Sequence, residues 1–513
     1  MKKTYFTIIF FITMFISVVN TELALANDIG TVNLSGFTCT YCDVYNENGE
    51  YISKHSVKNT FELPIGIYVF SVNGSFKSVT VQTGQNEFPL GRVSVSAINQ
   101  TDCYVYEYLD ESGNLLSKHN AIYPFELFPG NYTLKVNGTS KEVNVQPGQN
   151  DFLLGNLDLK ASNQTSCFVY ASSDTSGNHL SEHNATNPFD LFPGTYTFKV
   201  NGTSKEVNVQ SGQNDFLLGN IDLKASNQTS CFVYASSDTS GNHLSEHNAT
   251  NPFDLFPGTY TFKVNGTSKE VNVQSGKNDF LLGNIDLKAS NQTSCFVYAS
   301  SDTSGNHLSE HNATNPFDLF PGTYTFKVNG TSKEVNVQSS KNDFLLGNID
   351  LKAVTSVLCY VYGSTYTNES DIDIDISKDG KIGIEDIIFG LQVITGIFQQ
   401  LPDSTLDTFL SKHVANSPFD LFPGTYFFSV NGTIREVNIQ EGNNEFPLAN
   451  VYFLGTSNAY CNIYESFDLS KDYLSRHWVN NPIDLFPGTY TFLVNNTVKE
   501  LNIHTGKNEF SLE

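Results

Sequence analysis

The chain has 513 residues, with 53 acidic against 29 basic side chains and a formal charge of −24. Such a surplus works against neutralising nucleic-acid phosphates or holding an anionic membrane surface. Charged residues make up 16% and aromatics 13%; 40 Phe, 25 Tyr and 37 Gly stand against two Met and one Trp, and there are eight Cys. This places the chain among folded proteins built of strands and tight turns, with too few Cys for a disulfide framework.

Lys2 and Lys3 precede an apolar run from Tyr5 to Val19, followed by Ala24-Leu25-Ala26. A charged start, a short apolar stretch and an A-x-A site predict a secretory signal over 1–26, cleaved after Ala26. The run falls short of the ~20 residues needed to span a bilayer. No later segment is long and apolar enough to do so, so the expected product is exported, with no membrane span after signal removal.

The rest of the chain is one repeat written seven times. Cys103, Cys167, Cys231, Cys295 and Cys359 follow one another at intervals of 64 residues, Cys42 lies 61 before the first, and Cys461 lies 102 after the last. The long interval marks an insertion of 38 residues in the sixth repeat. The expected repeats are 30–90, 91–154, 155–218, 219–282, 283–346, 347–448 with an insertion at about 367–404, and 449–513. The third and fourth differ only at Leu157/Ile221 and Gln213/Lys277, the fourth and fifth only at Gly276/Ser340. Copies with identical surfaces suit spacing or multivalent weak binding, whereas an active site needs one specialised constellation. The expectation is no enzyme and no catalytic residue.

The third repeat serves as the pattern. Cys167-Phe168-Val169-Tyr170 alternates as a strand, Ser173 to Asn178 reads as a turn, and His179 to His183 returns as a second strand. Asp174-Thr175-Ser176-Gly177 is turn chemistry. Pro193-Gly194 is a second turn, and Tyr196, Phe198 and Val200 share one face of the next strand. Asn201-Gly202 is a strong hairpin signal. A four-residue loop there would set Phe198 opposite Val207 and bury a consistent face, so that register is expected over the two-residue alternative, which sets Phe198 opposite Lys205. Each repeat then becomes a small antiparallel β-sandwich of six or seven strands around Phe189, Phe192, Tyr196, Phe198 and Phe216. The fold class is all-β: a tandem array of seven such modules, with a short loop-helix insertion in the sixth.

The segments Leu191-Phe192-Pro193-Gly194-Thr195-Tyr196-Thr197-Phe198 and Val207-Asn208-Val209-Gln210-Ser211-Gly212 resemble the PEGA and carboxypeptidase-regulatory (transthyretin-like) modules. That resemblance implies an extracytoplasmic sandwich used for spacing, attachment or binding, without catalysis.

Each repeat also holds one Cys and one Ser-x-His: His55, His119, His183, His247, His311, His413 and His477. A Cys–His pair on neighbouring strands could be a nucleophile and base, but seven copies without a third orienting group favour a packing role. Cys39 and Cys42, three apart on one strand, would face opposite ways and stay unbridged.

The insertion carries the chemistry. Asp375-Ile376-Ser377-Lys378-Asp379-Gly380-Lys381-Ile382-Gly383-Ile384-Glu385-Asp386 places oxygen ligands at positions 1, 3, 5, 7 and 12 of an EF-hand loop. These are Asp375, Ser377, Asp379, the Lys381 carbonyl and Asp386, with Gly380 at the sharp turn. Ile384, Ile387, Ile388, Leu391, Ile394 and Phe398 then repeat at helical spacing. Ser at position 3 and Asp at 12 predict a weak Ca2+ site, about 10⁻⁵ to 10⁻³ M. The block through Ile397 resembles one half of a dockerin repeat, which implies the same five calcium contacts and a cohesin-like partner; a dockerin pairs two halves, and one is present.

The expected function is a secreted, non-catalytic, calcium-binding surface or matrix protein of spacer or adhesion type, meeting a protein or glycan ligand at the cell surface and no nucleic acid. The alternative is a dockerin-like, non-catalytic component of an extracellular polysaccharide-degrading assembly.

Overall fold

The computed structural model describes residues 28–511, apart from 109–113, 172–176, 236–238, 240, 300–302, 304, 364–408, 456–458, 466–468, 470 and 471. Among these residues all regular structure is β-strand. The described chain divides into two compact units. One runs to Lys160 and takes in Ser166–Lys199 and Ser204–Phe216; the other takes Ala161–Thr165, Val200–Thr203 and the chain from Leu217.

In the first unit, the first repeat has seven strands: β1 (Ile29–Asn33), β2 (Tyr41–Asn46), β3 (Tyr51–Ser56), β4 (Phe61–Pro64), β5 (Gly66–Val72), β6 (Ser75–Val81) and β7 (Gly84–Glu87). They form a four-stranded sheet in the order β3-β2-β5-β6 and a three-stranded sheet in the order β4-β1-β7. The second unit repeats the pattern, with Ser245–Asn248, Ser230–Tyr234, Gly258–Val264 and Thr267–Val273 in one sheet and Phe253–Leu255, Gly219–Asp222 and Gly276–Asp279 in the other. Inward residues alternate with outward ones, so Cys42, Val44, Phe70, Val72, Val79 and Val81 close on Val32 and Leu63 as a dry core.

The sandwich is not wholly antiparallel. β1 pairs antiparallel with β4 but parallel with β7, Val32 lying alongside Asn86. A short Gly-x-Asn strand makes the parallel return possible, because its Asn clamps the turn that leads into it. In the fourth repeat Asn278 Oδ1 accepts from the Gln274 amide at 2.8 Å, and its Nδ2 donates to the carbonyls of Gln274 and Gly276 at 2.8 and 2.7 Å. The Pro-Gly turn is closed in a similar way: Tyr260 donates its hydroxyl to the Phe256 carbonyl at 2.9 Å. These two bonds explain why Pro-Gly-x-Tyr and Gly-x-Asn recur together.

The hairpin register differs from the expected one. Its loop has two residues, Val264 standing opposite Thr267 and Phe262 opposite Lys269; the third repeat has the same residues through this hairpin. Asn265 and Gly266 both take positive φ, 45° and 76°, as a tight primed turn requires. The apparent misfit of a Lys on the core face resolves because its charged end can lie over aromatic rings at the sheet edge. The equivalent Lys77 Nζ lies 5.9 Å from the ring centres of both Phe88 and Phe128. The returning strand of the third repeat is also shorter than expected, Ser181–Asn184, and His179 instead meets Phe168 edge-on at 5.2 Å.

The Phe before Pro-Gly does not fill its own sandwich. Phe128 packs in the core of the first repeat, Phe192 in that of the second, Phe320 in that of the fourth, Phe422 in that of the fifth and Phe486 in that of the sixth. Phe192, assigned by sequence to the third repeat's own interior, is therefore a plug for its predecessor. The plugs Phe128, Phe192, Phe320, Phe422 and Phe486 are all at most 2% exposed. Phe320→Ala is expected to destabilise the protein by about 3–5 kcal/mol. Hydrogen exchange should speed up at Val271 and Val273, in the preceding repeat, as much as around residue 320 itself.

Candidate functional site

Asp375, Ser377, Asp379, Lys381 and Asp386 lie outside the described residues, as does the helix expected after them. The strands that carry the insertion are described: Leu358–Gly363 pairs antiparallel with Phe409–Val414, and Tyr362 stands opposite Phe409. These two strands, which flank the expected insertion in sequence, are thus paired with each other. Among the described residues no three His, Cys, Asp or Glu side chains are gathered so as to share a metal ion.

The Cys and His of each repeat do meet across neighbouring strands. Cys103 stands opposite His119, Cys231 opposite His247 and Cys295 opposite His311. Their environments disarm them. Burial pushes the Cys103, Cys231 and Cys295 thiols up to about 12. Burial likewise pushes His119, His247 and His311 down to about 4. A thiolate–imidazolium pair needs the opposite shifts. The imidazoles of His119, His247 and His311 are instead stacked flat on a Phe of the facing sheet, 3.9 Å between the centres of His119 and Phe125, and bonded through Nε2 to a Ser hydroxyl, Ser117 at 2.9 Å for His119. Cys39 is exposed and lies before β2 rather than on it, Cys42 is buried, and both are free.

These buried histidines make stability depend on pH. A folded pKa near 4 against an unfolded value near 6.5 means that the unfolded chain binds more protons between those limits, so stability falls as pH drops through that window. The unfolding midpoint in denaturant is expected to decline from pH 6.5 to 4.5, and His247→Gln should flatten that decline.

The most developed constellation lies where one repeat meets the next. The middle residue of the short strand before the plug is acidic in each case: Glu126, Asp190, Asp254, Asp318, Asp420 and Asp484, all at most 1% exposed. A buried carboxylate needs hydrogen-bond donors on its oxygens. Two backbone amides of the preceding repeat supply them. Asp254 accepts from Ser162 and Asn163 N–H at 3.2 and 2.8 Å, and Asp420 from Ser290 and Asn291 N–H at 3.3 and 2.8 Å. Asp190 accepts from Ile98 and Asn99 at 3.4 and 2.9 Å, while Glu126 accepts from Phe37 and Thr38. A side-chain amide of its own repeat completes the set: Asn220 donates to Asp254 at 3.2 Å and Asn348 to Asp420 at 3.1 Å.

The preceding hairpin locks on beside it. Asn265 Nδ2 donates to the Asp318 carbonyl at 2.8 Å, and Thr267 Oγ1 accepts from the Phe320 amide at 3.2 Å. The Gly of that hairpin lies against the following repeat, for a Cβ on Gly266 would sit 2.0 Å from the Leu308 carbonyl oxygen. Carboxylate, plug and hairpin thus form one joint. Asp254→Ala removes the acceptor of two backbone amides and of the Asn163 and Asn220 side-chain amides. It is expected to cost about 2 kcal/mol or more, read as a lower midpoint in chemical unfolding.

These acidic residues belong to none of the motifs that stand out in the sequence. The available signal was an acid lodged between two large apolar residues in Phe-Asp-Leu-Phe, a place where a charge has no reason to be unless it is met. Shallow polar grooves also recur on the outside. One of about 460 Å³ is lined by Gln292, Thr293, Ser294, Glu310, His311 and Asn312, and its copy in the fourth repeat measures about 510 Å³.

No family model matches the chain, and no curated protein matches it. Similar solved structures include the Bacillus anthracis TIE protein, at 14% identity over 60% of this chain and 67% of that one, TM-score 0.10. The pilus adhesin SpaC from Lactobacillus rhamnosus GG is similar at 12% identity over 54% of this chain and 42% of its own, TM-score 0.14. Domains 4–9 of the surface layer protein SbsC are similar at 11% identity over 94% and 98%, TM-score 0.09. At these scores the likenesses carry no argument about this chain.

Proposed function

We propose that this protein is an exported, non-catalytic surface protein of spacer or adhesion type: seven PEGA-like sandwich modules in tandem, with a calcium-binding, dockerin-like loop on the sixth. The joint is the observation that carries this reading. A chain that spends a buried carboxylate, a buried aromatic ring and a fitted glycine on each contact between near-identical modules is organised to hold them in fixed order. The Cys–His pairs support the same conclusion, since burial raises their thiols and lowers their imidazoles, away from a thiolate–imidazolium pair. The repeated polar grooves supply identical surfaces for a protein or glycan ligand, each weak alone and stronger together.

The calcium loop would follow in sequence from strands that are paired as far as Tyr362 and Phe409. Calorimetric titration of the full chain with Ca2+ is expected to give one weak site, about 10⁻⁵ to 10⁻³ M. Asp375→Ala and Asp379→Ala should each abolish it without moving the unfolding midpoint of the sandwiches. Calcium-dependent capture of a cohesin module would assign the protein to a polysaccharide-degrading assembly instead; calcium binding without capture favours the surface role.

A further inference from the structure

The residues that make a joint are altered at the first and seventh repeats, and in opposite halves. A joint needs a plug on the following repeat and a socket on the preceding one. The first repeat has lost the plug. Pro64 and Ile65 stand where later repeats have Phe-Pro. Pro64 lacks the amide that Phe320 donates to Thr267, and Glu62 is exposed where its counterparts are buried. β4 runs on through Pro64, which pairs with Ile29, and Ile65 N–H bonds to the Asp28 carbonyl at 2.9 Å.

The seventh repeat has lost the socket, by three separate changes. Asn496 replaces the hairpin glycine, at φ 64°. Its Cβ occupies the place that in every internal joint would come within 2.3 Å of the incoming Leu carbonyl oxygen. Phe453 replaces the Leu351 of the sixth repeat, and its ring packs edge-on against Phe492 at 5.6 Å. Third, the strand Ala449–Leu454 continues, Phe453 and Leu454 pairing with Phe510 and Ser511. In the sixth repeat the matching parallel pairing stops at Asp350, and Lys352 turns through φ 52° toward the amides that hold the next carboxylate. The extended strand diverts the chain from that turn. Thr497 is exposed here, whereas Thr433 is buried and accepts from the Phe486 amide.

We infer that the first and seventh repeats are caps that stop a second copy of this chain from adding through the joint. The internal joints show that plug and socket fit each other strongly. A chain ending in an open plug and an open socket would present complementary, heterologous surfaces, the arrangement that grows into open filaments. The substitutions close both surfaces with residues that clash or that have nothing to donate.

The test restores each half. One variant carries Pro64→Phe with Ile65→Pro, another Phe453→Leu with Asn496→Gly, and a third carries all four. Sedimentation velocity should give the unaltered chain a single monomer mass over a 100-fold range of concentration. The two half-restored variants should each stay monomeric alone and form dimers when mixed, and the fourfold variant should grow in mass with concentration. Far-UV circular dichroism and unfolding midpoints check each fold; should the fourfold variant misfold, the mixture of half-restored chains decides. The inference is overturned if the unaltered chain itself associates through these ends. It is equally overturned if folded half-restored chains, mixed at high concentration, remain monomers.

Discussion

A carboxylate taken out of water is costly unless donors are waiting for it, and that constraint organises this protein. Each acid in the short strand before Pro-Gly is buried to completion, and the amides that satisfy it belong to the repeat before. Neither partner is complete alone. A 64-residue sandwich is marginal as an independent fold, and here the cores of the first, second, fourth, fifth and sixth repeats each hold an aromatic ring that belongs to the repeat after them. Stability is therefore coupled along the chain, nearest neighbour to nearest neighbour, as in other repeat proteins.

The fold was legible where local chemistry decides it. Alternation in Tyr-Thr-Phe-Lys-Val and the Asn-Gly and Pro-Gly turns marked strands and hairpins, and the Cys interval marked the repeat. What could not be read was anything settled by a neighbour. Phe192 is as apolar as Phe189, so nothing in its identity says that it serves another repeat. The hairpin register turned on a Lys whose ammonium lies over Phe rings of the core edge and its plug, and on a Thr whose hydroxyl is claimed by the following repeat. Both look wrong on a core face until that neighbour is in place. The parallel strand was hidden because Gly-Gln-Asn-Asp has no strand-forming composition; a side-chain clamp holds it.

The candidate sites divide in the same manner. The proposed calcium loop is written in spaced oxygen-bearing residues and a glycine within one twelve-residue stretch, so the sequence suffices to propose it. The Cys–His pairs look chemical in sequence and are neutralised by burial. The joint acids look incidental in sequence, yet they are the polar centre of the architecture. Charge in an apolar run was the overlooked sign.

Because the fourth and fifth repeats carry the same socket and the fifth and sixth the same plug, the seam between the fourth and fifth repeats has the same chemistry as that between the fifth and sixth. Duplicating the 64-residue block of the fourth or fifth repeat would create no interface that the protein does not already possess. Reach can thus be tuned in whole increments by gene-level slippage, with the chemistry of every contact carried over unchanged.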